Sequence, residues 1–190
     1  YTALIPSNET FAKYGINNLD DMADYAKTIY DVMYPADAGQ SDITQRNNSF
    51  NRLVAYHLIN KKLTRRLFIE AYDNNGQNFA TTGETHSVKA TSEGEPIDMF
   101  EYIEPMCPNT LIEVRTLRST NEYDIFNMIT ETGEAVRLTS DYDNDALNGV
   151  FHEIDGILAY TRDVEREITS KRIRMDGASF FPELTNNNMR

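Results

Sequence analysis

The chain has no tryptophan, one cysteine, three histidines, and 18 basic residues against 30 acidic ones. Each scarcity removes a class of function. Cys107 alone cannot close an intrachain disulfide, and its place between Pro105 and Pro108 reads as an inert loop or core thiol. Three histidines with no close Cys/His spacing make no zinc site. A formal charge of −12 repels phosphate backbones. The densest basic groups, Lys61-Lys62 with Arg65-Arg66 and Lys171-Arg172 with Arg174, read as solvated ends of helices or strands. No nucleic-acid partner is therefore expected. No apolar run approaches the roughly 18 residues a membrane helix needs, so no membrane span within this chain is expected.

Catalytic signatures are also missing. There is no Gly-x-Ser-x-Gly elbow, no Gly-rich phosphate loop and no dinucleotide fingerprint. Paired carboxylates for glycoside hydrolysis can be drawn anywhere among so many acids, so they carry no signal. The run Asp141-Tyr142-Asp143-Asn144-Asp145 opens like a calcium loop, but Ala146 stands where the loop needs glycine and His152 where it needs glutamate. At most a weak carboxylate site for an adventitious cation is left. The expectation is a protein that is not an enzyme and holds no cofactor.

The remaining pattern is helices first, strands afterwards. Tyr1 to Ile5 is a β-rich run stopped by Pro6, and Ser7 or Asn8 caps a short helix that Gly15 ends. Met22, Tyr25, Ala26, Ile29, Tyr30 and Met33 recur at three- and four-residue steps, predicting a helix from near Asn18 or Asp20 to about Met33. Residues 36–48 are polar and carry Gly39, as a surface loop would. A third helix is predicted from Ser49 to Lys62, with Phe50, Leu53, Val54, His57 and Leu58 on one side. Short strands follow at 67–72, 79–82, 86–90, 99–103 and 111–117, with a hairpin signal at Asn74-Asn75-Gly76. A second hairpin, 125–130 with 135–139, precedes the turn Asn148-Gly149, whose residues tolerate positive φ. From there Val150, His152, Ile154 and Gly156 share one strand face. A helix over 164–171 turns Val164 and Ile168 inward. The order gives an α+β fold.

Three segments carry a family likeness. They are Tyr1-Thr2-Ala3-Leu4-Ile5-Pro6-Ser7-Asn8-Glu9-Thr10-Phe11, then Leu53-Val54-Ala55-Tyr56-His57-Leu58-Ile59, then Asn148-Gly149-Val150-Phe151-His152-Glu153-Ile154-Asp155-Gly156. In this order and at these separations the chain resembles a fasciclin-like domain, of the kind found in bacterial surface lipoproteins, from Tyr1 to about Leu158. The resemblance implies a wedge of two small β-sheets with several helices packed near one edge. The residues themselves divide the chain into a domain over 1–176 and a tail or linker over 177–190, where Phe180, Phe181 and Leu184 suggest docking on the domain or on a neighbour. The fold-signature residues the resemblance points to are Pro6, Phe11, Tyr56, His57, Asn148, Gly149, His152, Ile154, Asp155 and Gly156. Two departures are the absence of a helix before the opening strand and a long segment over about 93–123. The first residue already lies in a strand, so the chain reads as cut from a longer one.

The resemblance further implies a non-catalytic adhesion or interaction module of a larger extracellular or cell-surface protein, anchored through regions outside this chain. Its partners would be a surface or matrix protein, or a polysaccharide. A glycan-capture module of a bacterial polysaccharide-uptake lipoprotein and a structural spacer are the other expectations. His57 and His152 read as core imidazoles bonded to backbone. Tyr34, Tyr72, Tyr102, Tyr123 and Tyr142 fall at or near loops with acids or amides close by, as glycan-contacting aromatics would. Each also fits a half-buried rim position. The triplets Asn8-Glu9-Thr10 and Asn47-Asn48-Ser49 fit the glycosylation sequon.

Overall fold

Local signals start the chain's helices where expected. The structure, a computed structural model, describes residues 1–68, 99–117 and 122–170. Strand β1, Thr2–Pro6, runs into α1, Asn8–Lys13, whose first turn is closed by the Ser7 side chain accepting from the Thr10 N–H. Gly15, at φ +75°, then supplies the left-handed residue that ends it. Helix α2, Leu19–Met33, is capped by Asn18, and its stripe of Met22, Tyr25, Ala26, Ile29, Tyr30 and Met33 packs into the core. Helix α3 is capped by Asn48 and spans Ser49–Tyr56.

That third helix is shorter than its periodicity predicts. It stops at His57, and Leu58–Ile59 forms strand β2 against β1, with Thr2 opposite Ile59 and Ala3 opposite Leu58. The Leu4 N–H donates to the His57 carbonyl, which a continuing helix would have used itself. An open strand edge offering backbone partners, and a fully buried place for Ile59, outweigh local helix propensity. A short 3₁₀ turn, Arg65–Leu67, likewise occupies the start of the strand expected at 67–72. The expected strands at 79–82 and 86–90, the Asn74-Asn75-Gly76 hairpin and the tail 177–190 lie outside the described residues.

Among the described residues the strands form two four-stranded sheets. Strands β3, Met99–Ile103, β4, Ile112–Leu117, β5, Glu122–Phe126, and β6, Val136–Arg137, form an antiparallel meander. Strands β7, Asn144–Ala146, and β8, Gly149–Ile154, complete the other sheet in the order β2-β1-β8-β7. Within it β1 and β8 are parallel, although some 140 residues lie between them. Two bridges tie the sheets together: Ile59 opposite Pro105, and Leu138 opposite Ile154. The expected α+β architecture of helices with two small sheets is what the chain adopts. A fourth helix, α4, covers residues 162–170, with Val164 and Ile168 buried. The core joins Leu4, Leu53, Tyr56, Ile59, Ile112, Val114, Phe126, Ile154 and Leu158 across helices and both sheets. No helix among the described residues is long and apolar enough to cross a membrane.

The turn before β8 differs from its sequence reading. Ala146 pairs with Gly149, so the two-residue hairpin loop is Leu147-Asn148, and neither Asn148 nor Gly149 takes a positive φ. Gly149 is required for another reason. A Cβ there would collide with the carbonyl oxygen of Tyr1, which accepts from the Val150 N–H at 2.9 Å. Gly149→Ala should therefore push β1 off β8 and cost about 2–3 kcal/mol, mostly the lost backbone pairing. A urea midpoint equal to that of the parent would show that Tyr1 yields without loss.

Candidate functional site

Among the residues that the fasciclin resemblance singles out, the two imidazoles already have both ring nitrogens committed. His57 donates from Nδ1 to the Leu53 carbonyl at 2.8 Å and accepts at Nε2 from the Leu158 N–H at 3.1 Å. A backbone N–H can only donate, so the ring is the neutral Nδ1–H tautomer. Burial holds its pKa down at about 4. His152 is the opposite tautomer: Nδ1 accepts from the Asp143 N–H at 3.0 Å, and Nε2 donates to the Leu63 carbonyl at 2.9 Å. No nitrogen of either ring is left for proton transfer to a substrate.

Their neighbours serve the same frame. The Tyr56 hydroxyl donates to the Leu111 carbonyl and accepts from Asn127 Nδ2. Asn127, at φ +50°, also accepts from the Glu113 N–H through Oδ1. Pro6 pairs with Ile154 at the end of β1, where its missing N–H costs nothing. Phe11 packs on the core and its carbonyl accepts from Ile16. Asp155 Oδ1 accepts from the Arg137 N–H at 2.7 Å, pinning β6 beside the end of β8. Gly156 leaves room for Val136 and the Tyr14 hydroxyl, which a Cβ would meet at 2.9 and 3.2 Å. Asn148 sits exposed at the hairpin tip.

The loop tyrosines are not gathered into a platform among the described residues. Tyr34 lies parallel to Tyr30 with centroids 6.5 Å apart, and the Arg52 guanidinium sits 3.9 Å from its ring centre. Tyr142 is capped by Arg65, at 4.7 Å, which also donates to its hydroxyl. Tyr102 is a half-buried β3 residue beside the buried Glu113–Arg115 pair. Burial raises the Glu113 pKa, and the Arg115 charge, with hydrogen bonds from Arg115 and Tyr102, works against that rise. Tyr72 and the side chain of Tyr123 lie outside the described residues. The acids of the 141–145 run go to separate partners: Asp141 to Asn144, Asp143 to the Arg65 N–H, and Asp145 to Lys62. Cys107 is buried, and that burial raises its thiol pKa.

A concave surface lies between α2 and the segment before α3. A groove of about 420 Å³ runs between α2 and the 36–48 loop. One wall is the stripe Ala23, Lys27 and Asp31, spaced four residues apart so that all three share a helix face. The opposite wall is Gly39, Gln40, Ser41 and Ile43, and the floor is the start of α3. The loop is pinned from behind: Arg52 and Asn47 both bond Asp37, Asn48 bonds the Gln40 carbonyl, and Asn51 bonds the Ile43 carbonyl. Asp42 closes its own turn on the Thr44 N–H and hydroxyl, and these bonds lower its carboxyl pKa. Ser49 donates to Asp31 across the floor. The sequence marks this loop as surface but gives no sign that α2 forms its other wall, because a Lys27/Asp31 spacing is also that of any solvated helix face.

Comparison with family models, with curated proteins and with solved structures finds no match to this chain. The geometry alone therefore defines the class: an α+β domain that carries, among the described residues, a groove between α2 and the 36–48 loop.

Proposed function

We propose that this chain is a fasciclin-like, non-catalytic interaction module of a larger cell-surface or extracellular protein, contacting its partner through the pinned 36–48 loop. The observation that carries the proposal is the meeting of the three segments behind the resemblance. The opening strand lies between the Leu58–Ile59 strand that follows Tyr56-His57 and the closing strand Gly149–Ile154. Both imidazoles at that junction spend both nitrogens on backbone, which supports a structural role for them over a catalytic one. The loop, in contrast, is polar, exposed and held by side-chain hydrogen bonds, so little ordering entropy remains to be lost on contact. Ile43, 58% exposed at its crest, is an apolar anchor available to a partner.

The test is adhesion. Beads carrying the domain should be retained on at least one member of a panel of immobilised surface proteins, matrix proteins and polysaccharides. Ile43→Asp should reduce that retention about tenfold while leaving the melting temperature within a degree or two, since the side chain is largely in solvent. Retention on nothing, or retention unaffected by Ile43→Asp, would reject the loop as the contact.

A further inference from the structure

We infer that the groove between α2 and the 36–48 loop is a binding site for a short neutral saccharide, an inference that rests on the interaction-module reading and names a ligand for the same loop. Its volume of about 420 Å³ falls in the range of small-ligand sites, roughly 300–1,000 Å³. The one cation on the lining, Lys27, is already paired with Asp24, and Asp31 on the same wall is a carboxylate, so an anion is disfavoured there while hydroxyl donors find an acceptor.

The lining offers both donors and acceptors. Asp31 keeps a carboxylate oxygen beyond the one taken by Ser49, Gln40 spends its Oε1 on the Asp42 N–H and keeps its amide N–H₂, and Ser41 offers a hydroxyl. Lys27 is tied to Asp24 through one of three ammonium protons. Ala23, Ile43 and Phe50 give the apolar surface on which the C–H face of a sugar ring can lie. A peptide strand fits less well, because both walls are helix and loop and present no open strand edge for backbone pairing.

Amide chemical-shift titrations with maltohexaose, cellohexaose, laminarihexaose and mannohexaose test this. One of these neutral hexasaccharides should shift amides within 23–31 and 39–50, saturating at millimolar concentration. Lys27→Ala and Ser41→Ala, both at exposed positions, should each weaken that binding about fivefold to tenfold, the loss of one hydrogen bond to the ligand. Shifts centred elsewhere, shifts unchanged in both variants, or no shifts with any of the four would overturn the saccharide site. The bead assay separates the two readings. Retention on a protein ligand that persists in Lys27→Ala and Ser41→Ala leaves the interaction module standing without the saccharide site, and saccharide binding without bead retention does the reverse.

Discussion

Replacing His152 by alanine is expected to destabilise the domain by about 2–4 kcal/mol, because the ring ties β8 both to the Leu63 segment and to the Asp143 turn, a junction that Asp143 reinforces by accepting from the Arg65 N–H. Its Nδ1 satisfies the Asp143 N–H ahead of β7, and its Nε2 satisfies the Leu63 carbonyl in the segment that leaves β2. That segment passes beside the start of β1, where the buried Thr2 hydroxyl donates to the Lys61 carbonyl and accepts from the Leu63 N–H. Truncation orphans a carbonyl and an amide, each costing about 1–3 kcal/mol when buried, and Asp143 falls at the lower end because it is exposed. The edge contact with Phe68, at 5.0 Å, is lost as well. Chemical denaturation measures the total. Hydrogen exchange gives the specific signature: the Asp143 amide should lose protection before the β3–β6 sheet does. A stability loss with Asp143 still protected would mean that the hydrogen bond is not what the imidazole contributes.

His57 gives the domain a built-in acid sensitivity. Its folded pKa is about 4, pushed down by burial from the usual value near 6.5. As pH falls below 6.5 the unfolded chain takes up the proton while the folded one refuses it, so stability drops through the window from 6.5 to 4. The difference of about 2.5 pKa units corresponds to about 3 kcal/mol, fully present above the window and gone below it. Glu113 acts in the opposite sense. Burial raises its folded pKa, so the folded state binds that proton first and gains stability as pH falls towards the unfolded carboxylate value. The two are separated by difference. Subtracting the stability curve of His57→Gln from that of the parent between pH 7 and 4 cancels Glu113 and should leave a change of about 3 kcal/mol. A flat difference curve would show that His57 is protonated in the folded state without penalty.

Local chemistry made the helix starts legible. Ser7, Asn18 and Asn48 each cap a helix with a side-chain oxygen, and a cap depends only on residues two or three positions along. The alternation in β8 was equally legible: Val150, His152 and Ile154 are buried as their spacing predicts. What failed depended on a distant partner. Helix α3 stops early because β1, some 50 residues away in sequence, needs a neighbour. Gly149 is explained by Tyr1, at the other end of the described fold, and no local turn type reveals that.

The same division runs through the candidate site. Composition by itself determined that residues 36–48 form a polar surface loop, since such a stretch cannot bury enough apolar area to enter the core. It also determined the net acidic balance of the chain. Only the tertiary structure decided which helix faces that loop, which tautomer each imidazole adopts, and that the loop tyrosines Tyr34 and Tyr142 each carry an arginine on the ring. The reason is physical. Caps, turns and periodicity act over a few residues, whereas a groove wall, a buried hydrogen bond and a close backbone approach exist only once segments far apart in sequence have packed together.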